Sequence, residues 1–223
     1  MNNWVYMRII KQVIVLVSVF LLLSCAERVD RTDLQELIKN RQFSSLIEVV
    51  DGYIEENEDD EFGYYAKAAA LIHLKKESSD IQSVLHEAFS KSPQYKVEVY
   101  SLSMSVMLLQ NGYCDASLPV ASKMGFDLSN PKSPEFTLLA TGYVDCISVR
   151  NDKPINFVIG LYERLLIDTW YEHELMESYL TYLAKIDKWD IANDAFRRYN
   201  LRKPKSEYLE ALLLKFKEAS SGL

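Results

Sequence analysis

A chain of 223 residues with 32 acidic and 25 basic side chains, net −7 at pH 7, presents an acidic surface. That balance excludes nucleic acid and polybasic docking to anionic lipid as targets. Its seven glycines form no phosphate-cradling loop, and its length suits one domain with a proper core or an elongated array.

The chain opens with Arg8 and Lys11, followed by an apolar run from Val13 to Leu23 broken only by Ser18. A membrane-spanning helix needs about 20 apolar residues, so this shorter run, with its basic start, has the pattern of a secretory signal. It ends in Leu22-Leu23-Ser24-Cys25. Those four residues resemble the lipobox of bacterial lipoproteins. The resemblance implies removal of residues 1–24 and acylation of Cys25 by a diacylglycerol and an N-acyl chain, with no other cofactor. Ala26, where an aspartate would retain such a protein at the inner membrane, implies a periplasm-facing outer-membrane location in a Gram-negative host. The alternatives are an uncleaved anchor or a plain signal with a chance cysteine. Glycine and proline are scarce afterwards, so a flexible tether is confined to residues 25–31 and the folded domain runs from 32 to 223.

Beyond the tether every stretch reads as helix. "DLQELIKNRQ", "EVYSLSMSVMLLQ", "HELMESYLTYLAKI" and "SEYLEALLLKFKEA" space apolar residues three and four apart, one face per helix. No alternating run bounded by tight turns predicts a strand. "EENEDDE" (55–61) lacks the alternating ligands and central glycine of a calcium loop and reads as a solvated turn.

The helices also repeat. In "DKWDIANDAFRRYNLRKP" (187–204), Ala192, Phe196, Tyr199 and Pro204 follow one another at fixed offsets; Ile81, Leu85, Ala88 and Pro93 fit the same frame. Counting back from the latter set puts Tyr65, Ala68, Ala69 and Ile72 on a preceding helix. Looser copies begin at Leu46, Ala116 and Val158. Three of the four intervals are close to 34 residues; the step from 116 to 158 is longer and contains the Gly/Asn/Pro-rich "GFDLSNPKSP" (125–134). The pattern resembles tetratricopeptide or Sel1-like helical repeats along nearly all of the mature chain. It implies an all-α superhelix of about five helix pairs closed by a capping helix, Lys205 to Ala219, because paired helices bury their apolar faces only by stacking. The frame places Tyr53, Tyr65, Tyr100, Tyr162 and Tyr199 at packing positions.

Cys114 and Cys146 form an even pair behind a secretion signal, where a disulfide is expected. The repeat architecture makes the start of one second helix neighbour the end of the next first helix, which is where the two cysteines fall. Two packed thiols are the alternative.

Little catalytic chemistry is visible. "HELME" (173–177) carries glutamate where a zinc motif needs its second histidine. His73 and His86 lie on different helices without a metal-ligand partner nearby, and Cys114 has no base beside it. No enzyme, metal site or small-molecule substrate is expected. In such repeats the first helices line a groove, and the frame assigns to it His73, Glu98, Ser101, Ser105, Glu174, Glu177 and Thr181. Ala66 and Ala70 stand where chaperone-binding members carry a carboxylate clamp, so the expectation is instead either an acidic groove favouring a basic or neutral polypeptide or ordinary exposed helix residues. The reading is a lipid-anchored adaptor for a protein partner of the cell envelope, in assembly of a secretion system, pilus or secretin. Regulation of a cell-wall enzyme and assistance in outer-membrane protein insertion are the alternatives.

Overall fold

The computed structural model describes residues 29–130, 133–203 and 206–221. The leader, Cys25 and the first part of the tether lie outside the described residues. Among those residues the fold is all-α: α1 (Arg31–Lys39), α2 (Phe43–Glu56), α3 (Glu61–His73), α4 (Ser78–Lys91), α5 (Gln94–Gln110), α6 (Cys114–Ala121), α7 (Pro134–Arg150), α8 (Ile155–Asp168), α9 (His173–Lys185), α10 (Trp189–Asn200) and α11 (Glu207–Ser221). Local chemistry sets several starts. Asp30 caps α1 through the backbone N–H groups of Thr32 and Asp33, and Asp33 answers by accepting from the Asp30 N–H. Ser133 caps α7 just before Pro134, whose missing N–H costs nothing in the first turn.

The odd-numbered helices form one continuous row, each touching the next from α1 to α11. The even-numbered helices form a second layer: α2 packs on α1 and α3, α4 on α3, α6 on α5 and α7, α8 on α7 and α9, and α10 on α9. Leu46, Ile81, Ala116, Val158 and Ala192, the starts of the sequence frame, are all buried, one on each even-numbered helix. Val50, Leu85, Val120 and Tyr162, four residues on, are buried as well. The apolar interior falls into three successive cores, the largest running from Leu109 to Leu213 around α7, α8 and α9.

Two glycines show how tightly the layers meet. A Cβ on Gly63 of α3 would lie 2.9 Å from Ile54 Cγ1 and 3.0 Å from Tyr53 Cδ1 of α2, whereas one on Gly160 of α8 meets nothing within 4 Å. Gly63→Ala is expected to destabilise by about 1–3 kcal/mol through overpacking. Gly160→Ala is expected to stabilise by about 0.5–1 kcal/mol through helix propensity. Thermal melts of the two variants, shifting in opposite directions, check both.

One segment departs from the sequence expectation. Glu61, at the end of the acidic run, is buried and ion-paired with Lys96, while Asp60 caps α3 and accepts from the Tyr53 hydroxyl and from Arg31. That run therefore ties α3 to α2, α1 and α5 instead of standing free in solvent. The inserted segment is packed as well: Phe126 is buried edge-on against Phe136, and the Leu128 carbonyl accepts from Arg164 of α8.

Candidate binding groove

The centre of the site is α7. Its buried face carries Leu139, Ala140, Tyr143, Val144 and Ile147. Its opposite face carries Leu138, Gly142, Asp145 and Val149, spaced four, three and four residues apart, which stacks them in a stripe along one side of a helix. Leu138 is 60% and Val149 75% exposed, unusual for large apolar side chains on a helix that already has a full core face.

Hollows flank the stripe on both sides. Between α7 and α5 lies a cavity of about 430 Å³, lined by Val106, Leu109, Leu138, Gly142, Asp145 and Val149 among others. The missing side chain of Gly142 opens its floor: an added Cβ would sit 3.2 Å from Leu109 Cδ1. Between α7 and α9 lies a second hollow of about 410 Å³, with Asp145 and Val149 on one wall and Glu174, Glu177, Ser178, Thr181 and Tyr182 on the other. A third, of about 540 Å³, continues past Leu138 and Glu174 towards Lys203. Shared residues join the three around α7.

Asp145 sits where the first two hollows meet. Its Oδ1 accepts from the Tyr162 hydroxyl at 3.0 Å and from the Ser178 hydroxyl. Burial lifts its carboxyl above the usual aspartate range, and those two donors pull part of the way back. Among the described residues no cation pairs with it. Arg150 is held by Asp152 at 2.8 Å and by the Gly112 carbonyl at 3.1 Å, and Lys185 caps α7 through the Ser148 and Val149 carbonyls at 3.5 and 3.4 Å. The Tyr162 hydroxyl also reaches Ser148 at 3.3 Å and Ser178 at 2.8 Å, and burial and the nearby Asp145 charge raise its pKa. Tyr182 lines the α7–α9 hollow and is 3% exposed, and its buried hydroxyl has no hydrogen-bond partner among the described residues.

A covalent brace fixes one side. Cys114, the first residue of α6, is joined to Cys146 of α7, with Cα atoms 5.7 Å apart. Cys146 also lines the α5–α7 cavity. Beside the bridge, Gly112 adopts φ +84° in the α5–α6 turn, a conformation that favours glycine.

Of the residues the sequence frame assigned to a groove, Glu174, Glu177 and Thr181 lie together in the α7–α9 hollow. Glu177 also accepts from the Tyr208 hydroxyl of α11 at 2.6 Å. Ser101 and Ser105 are a correction: both are fully buried, and Ser105 donates to the Ser117 carbonyl of α6 at 3.3 Å. They are the small residues on the packed face of α5, between Val97, Met104 and Leu108. The groove side of α5 is carried by Val106, Leu109 and Gln110 instead. Glu98 is exposed on the first turns of α5 and lines none of the hollows around α7. His73 stacks flat on Phe43, centroids 3.9 Å apart, where burial and the charges of Arg41 and Lys75 depress its pKa. The residues the frame missed are Leu138, Gly142, Asp145 and Val149. Their signal was present: α7 is apolar on two faces where a half-buried helix needs one.

Among the described residues no group of three or more His, Cys, Asp or Glu side chains is placed to hold a metal ion, and no helix is long and apolar enough to cross a membrane. Compared with protein-family models, curated proteins and solved structures, the chain shows no match.

Proposed function

We propose that this chain is a lipid-anchored adaptor that holds a protein partner of the cell envelope against the α7 groove. Its helix pairs belong to a superhelix of five tetratricopeptide-like units closed by α11. The observation that carries this reading is the exposed Leu138–Val149 stripe, flanked by joined hollows on a helix whose other face is already packed. Support for the anchor comes from the Leu22-Leu23-Ser24-Cys25 motif. Acyl chains contribute about 0.8 kcal/mol per buried methylene, so more than one chain gives stable attachment. Assembly of a secretion system, pilus or secretin is the role assigned to such a tethered subunit.

Cys25→Ala tests the reading. The variant is expected to leave the membrane fraction, to lack the acyl mass on its N-terminal peptide, and to disperse the envelope complex it serves. Unchanged fractionation and an unacylated, uncleaved leader in the wild-type protein would overturn it. Capture from solubilised envelopes after cross-linking through Val149→Cys is expected to return secretin or pilus subunits; peptidoglycan enzymes would turn the assignment to regulation of a hydrolase.

A further inference from the structure

We propose that the occupant of the α7 groove is a polypeptide segment in which one lysine or arginine, set between two apolar side chains, pairs with Asp145 while its neighbours cover Leu138 and Val149. This rests on the reading of the groove as a protein-binding site and names the chemistry of the partner.

Charge is the first argument. Both hydroxyl donors hold Oδ1 of Asp145, and Oδ2 is left for an incoming donor. Glu174 and Glu177 add two negative charges from the α9 wall, against the one positive charge of Lys185 at its end. The cations at this end are already committed, Arg150 to Asp152 and Gly112, and Lys185 to the end of α7. A half-buried carboxylate without a counter-charge gains most from a cation that arrives with its own apolar cover, because pairing then takes place away from water.

Spacing is the second argument. At about 1.5 Å of rise per residue, Asp145 lies about 10 Å along α7 from Leu138 and about 6 Å from Val149. An extended chain covers those spans in about three and two residues. The matching segment therefore reads apolar-x-x-cation-x-apolar, or its reverse.

Fluorescence anisotropy with the full chain in detergent tests this. The probes are two fluorescein-labelled, end-capped peptides, Leu-Ser-Ser-Lys-Ser-Leu and its reverse, each with a twin carrying norleucine in place of lysine. One lysine peptide is expected to bind about tenfold tighter than its twin, the worth of one charge-assisted hydrogen bond. Asp145→Asn, which keeps the Tyr162 and Ser178 bonds, is expected to erase that difference. Val149→Ser, on an exposed position that leaves the fold intact, is expected to weaken both twins. Equal binding of the twins by the wild-type protein, no binding of any probe, or an unchanged preference in Asp145→Asn would overturn the proposal. Cross-linked capture separates the two levels. An envelope partner retained by Asp145→Asn at wild-type yield overturns the cation assignment alone, whereas no partner captured by the wild-type protein overturns the adaptor reading.

Discussion

Replacing Cys114 and Cys146 together with serine is expected to lower stability by about 3–4 kcal/mol, the chain-entropy cost of releasing a loop of this length. The bridge spans a sequence separation of 32 and encloses the packed insertion between α6 and α7. Opening it frees the unfolded chain far more than the folded one, where α6 still packs on α5 and α7. For a chain of this size the loss corresponds to about 8–15 °C in melting temperature. Urea titrations of the oxidised protein, the reduced protein and the double-serine variant check it. The last two should coincide, and both should fall below the first. Coincidence of all three would mean that packing alone fixes the α6–α7 corner.

Tyr162→Ala is expected to cost about 3–5 kcal/mol, the range for deleting a buried aromatic ring. Tyr162 is fully buried, stacks on Tyr179 with centroids 5.0 Å apart, and leans on Tyr182 at 5.8 Å. Its hydroxyl reaches Asp145, Ser148 and Ser178, so the ring and the oxygen do different jobs. Tyr162→Phe keeps the ring and removes the hydroxyl, and about 1–3 kcal/mol is expected for the polar groups left short of a partner. The pair of variants, compared by denaturant titration, separates the two contributions. An alanine variant no weaker than the phenylalanine variant would show that the ring adds nothing beyond its hydroxyl.

The helices were readable because their cause is local. Apolar residues at offsets of four and seven from Leu46, Ile81 and Val158 leave only one way to bury them, a helix face turned inward. The orientation of α5 was not readable in the same way. Ser101 and Ser105 look like solvent residues by chemistry, yet their small size lets α5 close against its neighbours, so the frame placed them on the wrong face. Glu61 escaped for a different reason: its partner Lys96 stands on another helix, and no local pattern announces a pairing across 35 positions. The groove lay between these cases. Leu138 and Val149 broke the single-face rule openly, but the donors that fix Asp145 come from α8 and α9 and become visible only when those helices are stacked.

The row of odd-numbered helices has a mechanical consequence. Each helix leans chiefly on the ones beside it, and the interior is divided into successive cores. Load entering at Asp30 therefore meets the smallest core first, the one around Leu34, Leu46 and Val50. Such a chain peels from its pulled end, shedding α1 and α2 as a sacrificial spring while the stapled α6–α7 corner keeps its shape. The corner around α7 is thereby shielded from a load applied at the first helix.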